Sequence, residues 1–319
     1  MDVRRQIGGP SDPAPVQGRG LRWRRMRRWA APYLLALPAV ALVAVFVFGV
    51  VNGLAQGLGI MPFLGMVEPT LRYVREAFTR PDFVASIGYS IYLALASALI
   101  ALVGGVALAA ALTRVRAGGA TRIAALNLPV MTMHALVAMG VICIFSGSGL
   151  AARVLHVLGL VQSPADVVSV VGDPSGWGII AVYAWKELPY VAFCTVALMA
   201  NVSSRLGEAA ATCGASPLRT FAEVTLPLCA PCALRAFLVV FAFALGSYEV
   251  PFLLGATTPK ALPVLAYIEF QDPDVANRCY AMALNGVAAL LGALAALAYF
   301  GLMVREERRR EVTHGAACS

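Results

Sequence analysis

The chain has 319 residues, of which 60% are hydrophobic and only 13% are charged. Soluble proteins carry about 25% charged residues, and a water-soluble fold of this size cannot bury so much apolar surface. The composition therefore predicts an integral membrane protein. The formal net charge of +8 does not indicate a nucleic-acid partner, because most arginines cluster near the two ends of the chain, beside apolar runs.

Residues 1–31 are polar and hold eight arginines, so we expect a basic N-terminal tail. The cluster from Arg22 to Arg28 would also suit the start of a signal peptide. The apolar run that follows is too long for a signal peptide, however, and no convincing cleavage site is evident. We therefore predict a retained first membrane span over residues 32–54.

Five further apolar runs are long enough to cross a hydrocarbon core about 30 Å thick, which takes about 20 helical residues. The runs are continuously apolar without a two-residue alternation, which favours helices over a β-barrel. Together they form a five-helix core over residues 86–304. The predicted spans are Ser86–Leu112, Ala124–Phe145, Gly178–Ala200, Ala233–Leu254 and Tyr280–Val304.

The distribution of basic residues predicts the orientation of the spans. With the N-terminus on the cytoplasmic side, 18 of the 25 lysines and arginines fall on cytoplasmic segments and six on the opposite side. Cytoplasmic loops are enriched in basic residues, so we predict that both termini are cytoplasmic and that residues 305–319 form a tail there. Residues 55–85 then form a periplasmic segment. Within it, PTLRYVREAFTRPDF predicts a short amphipathic helix that ends near Pro81 at the membrane interface.

No catalytic constellation is evident. An ATPase phosphate loop needs the pattern GxxxxGK[ST], and the two lysines, Lys186 and Lys260, do not lie in it. The three histidines are scattered and form no HExxH or HxH pattern, which argues against a metal-dependent hydrolase. Cys229 and Cys232 form a lone CxxC, so we expect two packed cysteines rather than a redox or metal site. We therefore predict no enzymatic activity and no metal or cofactor.

A polar segment lies between two apolar runs over residues 208–227, EAAATCGASPLRTFAEVTLP. Its first part is a strong helix former, for which Ser203 or Ser204 could serve as N-cap. Gly214 is placed to end this helix, because glycine accepts the left-handed conformation that often follows a helix. The segment is therefore expected to bend sharply at Gly214.

A second short helix is predicted after the bend. Ser216 suits its N-cap and Pro217 its first turn, where the missing N–H costs nothing, and Pro227 would end it. Its apolar residues are spaced to form one stripe that stays exposed unless a partner covers it. They are Leu218, Phe221, Ala222 and Leu226. The alternative is an ordinary helix–turn–helix loop packed on its own bundle, and the residues alone leave both interpretations open.

The same segment resembles the EAA signature of permease subunits of ATP-binding-cassette importers. The signature reads Glu-Ala-Ala, three residues, Gly, nine residues, Ile or Val, one residue, Leu-Pro, and every fixed position is matched. Trp185 with Leu188-Pro189-Tyr190 resembles a further helix of the family. Residues 90–96 resemble its usual opening before the second span, although Tyr89 replaces the customary asparagine. The resemblance covers about residues 65–305 and implies an all-α membrane protein with six transmembrane helices and the type I importer fold.

The resemblance implies that residues 201–228 form a coupling loop, which docks on a dimer of separate ATPase subunits. It also implies a second permease subunit, identical or paralogous, and a solute-binding protein that is periplasmic or lipid-anchored. The location would be the bacterial inner membrane, and no nucleic acid is involved. The residues assigned to coupling are Glu208, Ala209, Gly214, Ala215, Ser216, Pro217, Leu218, Phe221, Val224, Leu226 and Pro227.

The solute is indicated only in outline. Residues 246–255, GSYEVPFLLG, resemble the branch of these permeases that serves polyamines, ferric iron and thiamine, with a polyamine as the leading expectation. Near the outer end of a span, the Glu249 carboxylate would either line a cation pathway or reach interfacial water. Lys186 and Glu187 are adjacent, so they do not share a helix face, and we expect one to face a cavity and the other a neighbouring helix. The candidate pathway residues are Glu249, Tyr248, Lys186, Glu187 and Trp185, although the aromatic ones would equally suit packing.

Two other classes of membrane protein remain to be distinguished from an importer. An ion-coupled secondary transporter would carry intramembrane carboxylates on several spans, together with inverted repeats, and these spans carry few carboxylates. A membrane scaffold without transport would use the polar segment only for docking. Neighbouring genes for an ATPase and a secreted binding protein would favour the importer.

Overall fold

The computed structural model describes residues 19–114, 127–163 and 169–317. The described residues are almost entirely helical, and their one β-type contact is an isolated bridge between Met61 and Met66. A further helical stretch covers 127–131. The predicted tail up to residue 18 and the start of the third predicted span, 124–126, lie outside the described residues. The helices are α1 (Arg19–Gly57), α2 (Arg72–Ala77), α3 (Pro81–Arg114), α4 (His134–Phe145), α5 (Leu150–Val157), α6 (Trp177–Thr212), α7 (Pro217–Thr220), α8 (Leu226–Gly246), α9 (Glu249–Leu254), α10 (Leu262–Gln271) and α11 (Arg278–Ala317).

The chain divides into two compact units. The first, Met1–Asn52, is described from residue 19 onward as one helix, the greater part of α1. The second, Gly53–Ser319, contains the last turn of α1 and all the other helices. Within the second unit, Gly57 lies against Ala283, where an added Cβ atom would come within 3.1 Å of the Ala283 backbone nitrogen. A side chain at this position would require the neighbouring backbone to move by a few tenths of an ångström, so glycine suits this close approach.

Within the described residues, six helical segments are long and apolar enough to cross a membrane, which confirms the predicted number of spans and the all-α fold class. Their mean hydropathies range from 1.3 to 2.4. Several bounds differ by a few residues from the predicted ones, because helices extend beyond the apolar run into polar ends. The observed segments are Leu35–Gly57, Pro81–Thr113, His134–Val157, Trp177–Val202, Pro217–Gly246 and Val275–Arg305.

The third span is interrupted where a continuous helix was predicted. The helical stretch 127–131 ends just before Thr132, and Met133 adopts an extended conformation with ψ 141°. Helix α4 begins only at His134. The span also continues beyond Phe145 through a short turn into α5, in a region predicted to lie outside the membrane. The hydropathy of this stretch is uniformly high, so composition alone does not reveal the break.

The fifth span is displaced toward the N-terminus relative to its predicted bounds, Ala233–Leu254. Its helix α8 begins at Leu226 and ends at Gly246, where Ser247 adopts an extended conformation with ψ 130°. The residues that follow form the separate short helix α9. The prediction was wrong here because the residues around the Gly246-Ser247 break are apolar enough to extend the run while the backbone leaves the helix.

The core of the second unit is built from α3, α6, α8 and α11, which pack along one another. Small side chains line the faces of α3 that contact α6 and α8, including the fully buried Ala94, Ala98 and Ala101. Helices in a membrane gain little from burying apolar surface against one another, so close packing between small residues takes over the stabilising role. The helices approach closely at Gly105, where an added Cβ atom would lie 2.6 Å from Cβ of Val191.

The predicted amphipathic helix near Pro81 is present as α2. Its Tyr73 and Ala77 side chains are buried, whereas Arg72 is exposed. The Glu76 carboxylate accepts hydrogen bonds from the Tyr280 hydroxyl and from Nε of Arg72, the latter at 2.9 Å. These two hydrogen bonds lower the pKa of Glu76 below its usual range. The bond from Tyr280 fastens α2 to the first turn of α11, whereas the bond from Arg72 lies within α2.

Candidate functional site

The polar segment 208–227 begins in the last turns of α6, a core helix of 36 residues. Helix α6 runs without interruption from Trp177 to Thr212, so Ser203 and Ser204 lie inside it. The prediction that one of them caps a separate short helix was therefore wrong. A serine caps a helix only where the preceding backbone is not helical, and here the helix has already been propagated from the membrane span.

The bend at Gly214 is present as predicted. Gly214 has a φ of +82°, and the N–H of Ala215 donates a hydrogen bond across it to the Ala210 carbonyl at 3.1 Å. This bond satisfies a carbonyl at the helix end that has no partner within the helix. A Cβ atom added to Gly214 would meet nothing within 4 Å, so the backbone conformation, not a lack of space, favours glycine.

The helix after the bend begins as predicted but does not end as predicted. The N–H of Arg219 donates to Oγ of Ser216 at 3.4 Å, and Pro217 occupies the first turn. Residues Phe221–Thr225 then form a π-helical turn that leads directly into α8. Pro227 therefore does not stop the helix, because it lies in the first turn of α8 and follows a widened turn.

The apolar residues of this segment differ in exposure, because some pack against the helix bundle and Leu218 faces outward. Phe221 was expected to be exposed, but it is half-buried and packs against a cluster that includes Met199 and Cys229. Thr225 is buried, and Val224 is half-buried. Leu218, in contrast, is 75% exposed at the tip of the segment. The segment is thus held to its own bundle by Phe221, and it presents Leu218 outward.

The remaining residues assigned to coupling surround this tip. Ala209, Gly214, Ser216, Pro217 and Pro227 are exposed, Ala215 is half-buried, and Leu226 is 37% exposed. The side chain of Glu208 lies outside what the structure describes, although its backbone belongs to α6. Arg219 and Glu223 form an exposed ion pair at 3.0 Å along the segment. The structure therefore places most of these residues on one accessible surface.

The CxxC pair lies in the first half of α8, and its cysteines are packed as predicted. Cys229 is fully buried, and Cys232 is half-buried with its thiol donating to the Cys194 carbonyl at 3.3 Å. Within the described residues, no group of three or more histidine, cysteine or acidic side chains is arranged to hold a metal ion.

A second polar region lies within the spans, where α6 meets the break in the third span. Lys186 is only 5% exposed, and its ammonium group donates a hydrogen bond to the Thr132 carbonyl. The neighbouring Glu187 carboxylate lies 3.2 Å from Nε2 of His134, through Oε1. Lys186 and Glu187 therefore reach the same break in the third span. Lys186 binds Thr132, just before Met133, and Glu187 binds His134, just after it.

Aromatic rings enclose this polar region. Phe243 of α8 packs against the His134 imidazole with ring centroids 4.8 Å apart, and the buried Tyr183 lies one helical turn before Glu187.

The other predicted pathway residues lie elsewhere. Glu249 is exposed and begins α9, so it lies after the fifth span and not within it. Tyr248 stacks on Phe252 at 4.9 Å and contacts Tyr267 at 5.0 Å, forming an aromatic group that the sequence did not suggest. Trp185 is 48% exposed, away from the Lys186 contact.

The sequence interpretation missed Thr132, His134, Tyr183 and Phe243. One signal was available, because a histidine within an apolar run is rare and usually has a specific partner. The identity of that partner could not be read from the sequence, since Glu187 lies 53 positions away.

Residues 18–309 match the protein family described as the binding-protein-dependent transport system inner membrane component. The chain belongs to this family. Its members are permease subunits of ATP-binding-cassette importers, in which a partner subunit hydrolyses ATP. The permease is therefore a multi-pass protein of the inner membrane and not an enzyme, and its predicted resemblance to this family is confirmed.

Two curated relatives differ in their named solutes. The putrescine transport system permease protein PotI of Escherichia coli (strain K12) is 28% identical over 153 residues, which cover 44% of this permease and 50% of the relative. The permease thus spans about half the length of that relative. The diacetylchitobiose uptake system permease protein DasB of Streptomyces coelicolor is 27% identical over 356 aligned positions, which cover 98% of this permease and 99% of the relative.

Solved structures confirm the fold. A chain from the crystal structure of a bacterial ABC transporter involved in the import of the acidic polysaccharide alginate matches with a TM-score of 0.66 and 20% identity. The match covers 90% of this permease and 99% of that chain. A chain from a bacterial alginate ABC transporter in complex with an alginate pentasaccharide-bound periplasmic protein matches with a TM-score of 0.62. At such identities the likeness concerns the fold alone.

Proposed function

We propose that this permease forms half of the translocation pathway of an ATP-driven importer, and that residues 208–227 couple it to the ATPase dimer. The observation that carries this proposal is the construction of the bend. Gly214 turns the chain, Ser216 caps the next helix, and Leu218 is left 75% exposed at the tip. An exposed leucine on a rigid turn suits insertion into an apolar groove of a partner.

We propose that both termini and this segment are cytoplasmic. The excess of basic residues on the segments assigned to that side supports this orientation. A second permease subunit, identical or paralogous, would supply the other half of the pathway. A periplasmic or lipid-anchored binding protein would deliver the solute on the opposite side, as the periplasmic protein bound to an alginate transporter illustrates for a structural relative.

The geometry suggests how movement of the ATPase would reach the pathway. Helix α6 connects the bend to Lys186 over 26 residues, which is about 39 Å at the helical rise. Helix α8 leads from the π-helical turn to the Ser247 break beside α9. When the ATPase subunits close, the two helices would move as rigid elements. Each would carry that displacement to one of the polar regions within or next to the spans.

We further propose that the solute is a small cation, with a polyamine as the leading candidate and ferric iron and thiamine as the others. The polar region and the start of α9 carry two carboxylates, Glu187 and Glu249, and the single ammonium group of Lys186 offsets only one of them. These described carboxylates and the ammonium group together have a net negative charge, which favours a cationic solute. The name of PotI, a putrescine permease, is consistent with this class.

A sugar is the second candidate solute. DasB, named for diacetylchitobiose uptake, aligns with the permease over nearly its whole length. The group of Tyr248, Phe252 and Tyr267 also presents two rings that are 52% and 43% exposed, Phe252 and Tyr267. Exposed aromatic rings of this kind can pack against the apolar face of a sugar ring. Competition between putrescine and diacetylchitobiose for uptake would separate the two candidates.

Substitutions at Gly214 test the coupling role of the bend. A β-branched residue is strained in the left-handed conformation by roughly 1–2 kcal/mol or more, whereas asparagine tolerates it. We expect Gly214→Val to reduce ATP-driven uptake at least about tenfold, and Gly214→Asn to retain most of it. Both variants should be measured in the complete transporter at matched membrane expression. Normal uptake by a well-expressed Gly214→Val variant would contradict the assignment. If uptake is lost while the solute still stimulates ATPase activity as in the wild type, the defect does not lie in the coupling between the permease and the ATPase.

Glu249→Gln tests the cationic solute. Removing the charge is expected to raise the KM for putrescine by about tenfold, since an interaction with a charged group contributes about 1.5 kcal/mol or more. The matched control is Glu68→Gln, because Glu68 is also exposed but lies in the segment between α1 and α2. Uptake kinetics of labelled putrescine would provide the measurement. An equal KM in both variants would remove Glu249 from the pathway.

A further inference from the structure

The break in the third span places two unlike groups side by side. The Thr132 carbonyl ends the helical stretch 127–131, and His134 is the first residue of α4. The last carbonyls of a helix have no partner within the helix, and in a membrane an unpaired carbonyl is costly. The Lys186 ammonium group satisfies the Thr132 carbonyl, so Lys186 stabilises the break itself.

This arrangement separates two charges that would otherwise neutralise each other. Lys186 and Glu187 are consecutive residues of α6 that carry opposite charges. The Thr132 carbonyl draws the ammonium group to one side of the break, and Nε2 of His134 holds Oε1 of Glu187 on the other side at 3.2 Å. The side chains of His134 and Glu187 remain 19% and 13% exposed, so the pair is not sealed inside the protein.

The second oxygen of the carboxylate is available to a further donor. Among the described residues, no hydrogen bond reaches Oε2 of Glu187, and the atom is not buried. The Phe243 ring next to His134 is 43% exposed and adds an apolar surface beside the carboxylate. A carboxylate with one oxygen held in place, the other free and an aromatic ring nearby is suited to a protonated amine.

We propose that His134 is a positioning residue that holds the Glu187 carboxylate where it meets a cationic solute. In the same arrangement, the Thr132 carbonyl keeps the Lys186 ammonium group away from that carboxylate. This inference rests on the proposed function and assigns Glu187 as the residue that contacts the solute through Oε2. The break at Met133 is needed for this arrangement, because a continuous helix would leave no free carbonyl for Lys186.

Three histidine variants in the complete transporter test this proposal, with labelled putrescine as the probe. We expect His134→Ala to raise the KM about tenfold with little change in kcat, because the carboxylate loses its hydrogen-bond donor. His134→Gln keeps a donor, so it should retain a KM near that of the wild type. The control is His156→Gln, since His156 is exposed and its side chain contacts only the Val161 carbonyl among the hydrogen bonds described.

The outcomes separate this inference from the proposed function. An unchanged KM in His134→Ala, or a KM in His134→Gln as high as in His134→Ala, contradicts the positioning role while leaving a cationic solute intact. A wild-type transporter that imports diacetylchitobiose but not putrescine contradicts the cationic solute, and this inference with it. A purely structural role for His134 predicts lower yield and lower kcat in both variants, with an unchanged KM.

Discussion

Replacing Leu218 with glutamate is expected to abolish binding of the permease to its ATPase while leaving the permease folded in the membrane. Leu218 is 75% exposed at the tip of the segment and contributes little to the permease's own core. A buried apolar anchor commonly contributes about 2 kcal/mol or more to an interface, and a charge forced into the same pocket costs more. We therefore expect affinity for the ATPase to fall about 100-fold or more, with loss of ATP-driven uptake.

Co-purification with the ATPase from detergent-solubilised membranes would measure this loss. Leu160→Glu is a matched control, because Leu160 is 71% exposed in the loop after α5, at a different place in the chain. Phe221→Ala is a useful contrast, since Phe221 packs on the cluster around Met199 and its loss should lower thermal stability as well. ATPase binding by Leu218→Glu at the wild-type level would contradict the docking surface.

Replacing Gly105 with valine is expected to prevent the close packing of α3 against α6. The first added atom, Cβ, would lie 2.6 Å from Cβ of Val191 and 2.8 Å from the Leu188 carbonyl oxygen. The carbonyl belongs to the backbone of a core helix and cannot turn aside as a flexible side chain would. Overpacking of this kind costs about 3 kcal/mol or more, which corresponds to a fall of about 6–12 °C in the melting temperature.

Size-exclusion profiles and thermal melting in detergent would measure the effect. Gly88→Ala on the same helix is the control, because an added Cβ atom there meets nothing within 4 Å. It should leave the melting temperature unchanged or slightly higher, since alanine favours a helix over glycine. A Gly105→Val protein with normal yield and melting temperature would show that α3 and α6 can separate without loss, contrary to the packing described here.

Predictions that depended only on neighbouring residues were confirmed, whereas those that a longer helix could override were wrong. The Gly214 bend and the Ser216 cap depend on residues within a few positions, so local rules predicted them correctly. The N-cap at Ser203 or Ser204 and the stop at Pro227 were wrong, although the same rules were applied. In both cases a long helix continued through the position, because the adjacent membrane span had already formed it.

The polar contacts within the spans, in contrast, join residues that are far apart in the sequence. Lys186 was recognised from the sequence as unusual in an apolar run, but its partner is the Thr132 carbonyl, 54 positions away. A backbone carbonyl has no sequence signature, and it is free only because the third span breaks at Met133. The pairing of Glu187 with His134 depends on the same break. The partners could therefore be identified only after the helices were packed.

The sequence by itself determined the membrane location, the six spans, the family and the position of the bend, because these depend on composition and on short local patterns. The tertiary structure alone decided where the third and fifth spans are interrupted, which apolar residue of the polar segment faces outward, and which side chains meet within the spans. The free energy of burying a helix in a bilayer depends little on which apolar residue occupies each position. Unpaired backbone groups and the close approach of glycines such as Gly105 select one arrangement, and these are properties of packed helices, not of a single one.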